Sequence, residues 1–373
     1  MNKGTLNTVI GILLIFGILI GYSLLTAPSK EERLAKFKKD STEWATRNLQ
    51  LKKDSLAKVR EDSIQKIKQD SLSKTQPADT SATTATDSLR KMHNLYGKFS
   101  VSAKGKNTHY ILEDSLLKIK FAAQGGGISY VELKTYKTFD GRPLILFNTD
   151  SSNYFLTFLS GYKDLNTSRL FFEPYCADPR FTGKDSIFIR KNDSVRFALR
   201  LYANESDSTK NTKKFIEYLY TLKAGSYLLD FSINLDNMQD IIDVNSTYLA
   251  FDWKLDLTQQ EKSMKNELMN TNVYFKPAED DVDYLKENKD DKKDKLPNIK
   301  WISFKQQFFS ATLIAKESFK EASLEIATQK DTLFPGYLKT LTASLTFPYE
   351  NKSRQSIPMS LYLGPNKYKI LKS

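Results

Sequence analysis

The run Gln124-Gly125-Gly126-Gly127 is the part of this chain best suited to cradle an anion, because glycines let backbone N–H groups close in on a phosphate. A phosphate loop would continue to Lys-Ser or Lys-Thr and then to a helix. Here ISYVELKTY follows and reads as a strand, so the glycines predict a turn or bulge. His93 and His109 are the two histidines, too few and too ill placed for an HExxH motif or a histidine-rich metal site, and both read as surface or packing residues. No GxSxG nucleophile elbow is present. Adjacent acids such as Glu113-Asp114 and Asp280-Asp281 fit solvated loops, and a glycosidase pair is defined by separation in space, which sequence does not give. Cys176 stands alone, which excludes an intramolecular disulfide, a CxxC pair and a thiolate cage. No catalytic, cofactor-binding or metal-binding residue is assigned, no cofactor is expected, and the chain reads as a non-enzyme.

The elements around these residues point to a membrane and a β domain. At 373 residues, 40% hydrophobic and 12% aromatic, the chain can bury a sizeable core. Lys and Arg outnumber Asp and Glu by 56 to 44. The excess comes without a helix-turn-helix, zinc-finger, RNP-type or OB-type signature, so nucleic acid is not an expected partner. Val9 to Leu25 carries no charge and, with Leu6 to Thr8, reaches the span of a bilayer core, which makes the lipid bilayer the partner of residues 6–25. A cleaved signal peptide fits less well: Leu25-Thr26-Ala27 departs from the A-x-A pattern and is followed by Pro28. Lys3 favours an N-inside topology, while Lys30, Arg33, Lys36, Lys38 and Lys39 oppose it. Gly17 and Gly21 form a GxxxG, which suits helix packing although glycine is common in spans.

Residues 30–93 read as a charged, partly helical tether. An Asp-Ser-hydrophobic unit recurs at Asp54, Asp62 and Asp70, and Ser73 to Ser88 is low-complexity Ser/Thr/Ala, unable to bury enough apolar surface to fold. The folded domain is expected over 94–373. There the hydrophobic period becomes two, in HYILEDSLLKIKFAA, YVELKTYKTF, SIFIRKNDSVRFALRLY, KFIEYLYTL, SYLLDFSINL, TYLAFDWKLDL and LTASLTFPY, which makes at least seven strands. Turns are predicted at Lys191 to Ser194 and Lys223 to Ser226. No long 3.6-period helices alternate with the strands, so the fold class is mainly β, an antiparallel sandwich, not a parallel α/β sheet. Between about 261 and 299 the alternation lapses into a polar, solvated insertion that can be helical at its start.

Trp301 to Ala315, WISFKQQFFSATLIA, is dense in aromatics with an amide pair embedded. It reads as a buried strand or short helix in which Lys305 and the glutamines satisfy polar groups. This segment, the opening GILLIFGILIGYSLLTAPSKEE, Gly125 to Gly127 running into YVELKTYKTFDGRPLILF, and the closing Leu361 to Tyr368 together resemble the amino-terminal half of the YidC membrane-protein insertases of Bacteroidetes-like bacteria, over essentially the whole chain. The resemblance implies an inner-membrane protein whose residues 1–29 anchor a large periplasmic β-supersandwich of the galactose-mutarotase type. It also implies Sec translocon components and nascent membrane proteins as partners. In that family insertion is performed by a five-helix core beginning just after the Leu363-Gly364-Pro365 segment. The sequence stops at Ser373, so no residue of that core is carried over, and the expectation is a fragment, with a natural relative lacking the core as the alternative. Two other readings are an anchored sugar-binding or mutarotase-like protein, which would need poised acid/base groups, and an envelope scaffold.

Overall fold

Period-two alternation of buried and exposed side chains runs through nearly every segment of the computed structural model, which describes residues 90–367 apart from 149–151, 162, 176–179, 181–183, 205–208, 287–288 and 329–335. The predicted anchor, the tether as far as 89, and Cys176 lie outside the described residues. Among the described residues no helix is long and apolar enough to cross a membrane. A helical turn over 90–96 leads into the strands. The first nine strands are β1 His109–Glu113, β2 Leu117–Ala122, β3 Ile128–Lys137, β4 Pro143–Phe147, β5 Ser152–Ser160, β6 Lys163–Asn166, β7 Glu173–Tyr175, β8 Ser186–Phe188 and β9 Ser194–Asn204. The second nine are β10 Lys210–Lys223, β11 Leu228–Asp236, β12 Tyr248–Thr258, β13 Asn272–Pro277, β14 Asp283–Tyr284, β15 Asp291–Lys305, β16 Phe309–Thr328, β17 Tyr337–Pro348 and β18 Arg354–Pro365.

A five-stranded sheet runs β4-β3-β2-β1-β8, and a larger sheet runs β6-β5-β12-β17-β16-β18-β11-β10-β9-β7, with β13, β14 and β15 added beside β16. Every described strand pair is antiparallel except β1 with β8. The larger sheet folds over on β16, which is 20 residues long. Its first part, Phe309 to Ala315, pairs with β18, its last part, Glu321 to Thr328, pairs with β17, and β15 follows its other edge. One strand therefore belongs to both halves. The halves face each other through aromatic rings: Tyr154 of β5 meets Tyr218 of β10 at 6.2 Å, and Phe251 of β12 meets Phe231 of β11 at 6.3 Å. Each such ring removes apolar area worth about 1.5–3 kcal/mol from water.

The turns follow from their residues. Asn192 (φ 65°) and Gly225 (φ 78°) supply left-handed backbone in the two predicted turns. The region 261–299 differs from expectation. It opens on the short helix Met264–Asn270, but it goes on into β13, β14 and most of β15 where a solvated insertion was expected. Along β15 the charged side chains stay largely in water while the backbone pairs with β16, so alternation of charge with charge hid a strand that covers an otherwise open edge.

Candidate functional site

Two polar constellations interrupt the apolar interior, and the first lies on the glycine run. The loop joins β2 to β3 as the predicted turn, with Gly125 and Gly126 at φ +78° and +72°. A Cβ on Gly126 would stand 2.7 Å from the Phe172 ring, so only glycine fits. The Tyr220 hydroxyl donates to the Gly126 carbonyl at 3.1 Å, and the Ile128 N–H donates to the Tyr154 hydroxyl at 2.9 Å. Tyr154 and Tyr220 are hydrogen-bonded to each other. Burial drives both phenols far above their ordinary range, so they hold the loop as neutral groups.

Beside this loop opens a cleft of about 340 Å³, lined among others by Asn107, Gln124, Ser129, Ser152, Lys254 and Asp256. Asn107 Oδ1 accepts from the Gln124 N–H at 3.1 Å. Asp256 pairs with Lys254 at 3.4 Å and accepts from Thr340 Oγ1 at 2.5 Å. Such a wall offers hydrogen bonds to a neutral polar molecule. Neither histidine lines it: His109 opens β1 and His93 lines a different groove, with Ser160 and Asp240.

The second constellation surrounds Glu267 on the helix Met264–Asn270. The helix is capped by Ser263, whose Oγ accepts from the Asn266 N–H at 3.3 Å. Glu267 points inward and is 1% exposed. Its carboxylate accepts from the backbone N–H of Gln260 at 3.0 and 3.1 Å, from that of Glu261 at 3.1 Å, and from Gln306 Nε2 at 3.2 Å. Gln306 Nε2 also donates to the Thr258 carbonyl at 2.9 Å, and Asn366 Nδ2 donates to the Gln306 carbonyl at 3.0 Å. Lys339, likewise buried, donates to the Thr271 carbonyl at 2.7 Å. Burial pushes the Glu267 carboxyl up to about 7, against the pull of the Glu261 and Gln260 N–H groups and with a further push from the Glu261 charge. This network joins the end of β12, the β15–β16 turn and the last described residues.

Of the amide pair in WISFKQQFF, Gln306 meets buried polar groups through its Nε2, while its Oε1 is buried without a hydrogen-bond partner. The same segment forms the β15–β16 hairpin, not a helix. Of the adjacent acids, Asp280 and Asp281 are exposed. Asp114 corrects the solvated-loop reading: it is fully buried, accepting from the N–H groups of Leu116 (2.8 Å), Leu117 (2.6 Å) and Gly225 (2.6 Å). Its neighbour Glu113 pairs with Lys134 at 2.6 Å. Sequence reasoning missed Glu267 altogether; the available signal was a Ser263 cap before a short run in which Met264 and Leu268 recur at helical spacing. Among the described residues no group of three His, Cys, Asp or Glu side chains is placed to hold a metal ion.

Residues 110–373 match the family described as the YidC periplasmic domain. The chain is 29% identical over 371 residues to a protein of Parabacteroides distasonis named membrane protein insertase YidC, covering 98% of this chain and 52% of that one. It is 31% identical over 281 residues to a protein of the same name from Azobacteroides pseudotrichonymphae, covering 75% and 42%. The chain thus spans about half the length of the curated relatives it matches. Among solved structures, a galactose mutarotase-like protein from Lactobacillus casei aligns over 69% of this chain and 100% of its own, at 12% identity and a TM-score of 0.42.

Proposed function

The chain belongs to the YidC family, its residues 110–373 matching that family's periplasmic domain, and on this premise we propose that it is the amino-terminal half of a membrane protein insertase. Residues 6–25 anchor it in the bacterial inner membrane, 30–93 give reach, and the β domain over 94–373 stands in the periplasm. There the domain assists insertion and folding of inner-membrane proteins alongside the Sec translocon. The observation that carries this reading is the match to relatives named as insertases across 98% of the chain, which takes in the uncharged segment at its start as well as the β domain. The β domain contributes a stable folded mass with polar recesses, and the reading assigns it no covalent chemistry.

Depletion and rescue test the proposal. In a strain whose insertase gene is placed under depletion control, the full-length reading frame is expected to restore insertion of a multispanning reporter. A version lacking 94–367 is expected to slow Sec-dependent reporters. Unimpaired insertion after complete loss of the gene would overturn the reading.

A further inference from the structure

The end of the domain organised on Glu267 also carries large apolar side chains in water. Phe139 is 51% exposed, Met269 49% and Phe308 51%, and Met264 is exposed beside them. They come from three separate segments that the network brings together. The Phe139 N–H donates to the Gln260 carbonyl at 3.0 Å, both methionines sit on the helix of Glu267, and Phe308 follows the Gln306 whose amide reaches that carboxylate. Helical spacing turns Lys265 and Met269 together to the side opposite Glu267. The Asn366 N–H donates to the Phe308 carbonyl at 2.7 Å, which brings Lys367 to the same place, its ammonium 5.1 Å from the Tyr136 ring.

Around these knobs Lys137, Lys262, Lys265 and Lys367 are exposed. Against them stand Asp140, paired with Arg142 at 2.7 Å, and the half-buried Glu261. The composition separates two possible occupants. Protein interfaces are depleted in lysine and concentrate their apolar groups in a continuous core. Phenylalanine and methionine suit either occupant, and it is the lysines set around them that favour a lipid headgroup region, where apolar groups enter the acyl boundary and cations meet phosphates.

We propose that this end of the β domain lies against an anionic bilayer surface, with Phe139, Met269 and Phe308 entering the headgroup boundary and Lys262, Lys265 and Lys367 pairing with lipid phosphates. The inference rests on the membrane placement given above and adds which face of the domain meets the lipid.

The test uses the full chain with Cys176→Ser and a single cysteine at Phe308→Cys carrying an environment-sensitive nitrobenzoxadiazole label. A second version carries the label at Val244→Cys, an exposed position beyond the opposite end of β12. Each is reconstituted into vesicles of phosphatidylethanolamine with phosphatidylglycerol and into vesicles of phosphatidylcholine alone. The Phe308→Cys label is expected to shift to the blue and to be quenched by lipids brominated high in the acyl chain, in the anionic vesicles and less so as salt rises. The Val244→Cys label is expected to stay water-like in both. Lys262→Gln, Lys265→Gln and Lys367→Gln are expected to return the first label toward water, each lost charge weakening the contact about fivefold. A water-like Phe308→Cys label on protein that resists carbonate extraction overturns the inference and leaves the membrane placement standing. A blue shift without bromolipid quenching overturns it in favour of a protein cover. Chain released by carbonate overturns both.

Discussion

At the centre of the sandwich Tyr154, Phe231 and Phe251 meet ring against ring, whereas at the end of β12 Glu267, Gln260 and Gln306 meet through hydrogen bonds, although both sets are almost wholly buried. In the first region shape decides what fits, because dispersion contacts fall away with any gap. In the second, geometry decides, because a donor or acceptor withdrawn from water is costly wherever it lacks a partner. The two regions should therefore fail differently, the centre through lost volume and the end through loss of the Glu267 proton or of a single partner.

The largest effect is expected from Phe251→Ala, which opens a cavity among Tyr154, Phe231 and Phe347 and should lower stability by about 4 kcal/mol. Denaturant unfolding of the chain in detergent, followed by tryptophan fluorescence, reads this directly: Trp253 stacks on Phe304 at 4.1 Å. A loss under about 1 kcal/mol would mean the centre repacks freely and the contrast is false. Gly126→Ala comes next, at about 3 kcal/mol, since the new methyl meets the Phe172 ring in a backbone conformation that alanine resists.

Glu267 gives the third prediction. A carboxyl whose folded value is about 7, above its usual 4.5, holds its proton more tightly folded than unfolded. Its stabilising contribution is complete below about 4.5 and is lost as pH rises toward about 7, a fall of roughly 2–3 kcal/mol. Melting temperature against pH should slope downward across that window, and Glu267→Gln should flatten the slope. An unchanged slope in the variant would assign it to other groups. The smallest effect is expected of Asp114→Asn, which weakens acceptance from three backbone N–H groups at the β1–β2 turn, by about 1–2 kcal/mol. Faster amide exchange at Leu117 and Gly225 would report it.

The same contrast explains how much was legible in the sequence. Strands with one wet face, such as β10 and β12, announce themselves by alternation, and the turn at Gly225 by its glycine. Strand β5 is hard to read because the apolar residues of NYFLTFLS fall on both faces, Tyr154, Leu156 and Phe158 on one and Phe155 and Leu159 on the other, and the β15 segment DKKDKLPNIK because charged residues occupy both of its faces. Neither shows a period. The turn over the tyrosines was readable from Gly125 to Gly127, but the cleft beside it was not, because Asn107, Ser152 and Asp256 come together only through pairing of distant strands. Glu267 was hidden for a related reason: its partners lie at 260–261 and 306, and nothing local separates a buried glutamate from a solvated one.

The position of β18 has a consequence for the order in which the domain is made. It is the last described strand, yet it lies inside the sheet, between β11 and β16. During synthesis or export, β11 and the start of β16 are therefore finished long before the strand that joins them, and both edges stay open to stray pairing until residues 354–365 arrive. The domain closes from its tail, so a chain halted short of Pro365 would be a sheet with its central stave missing.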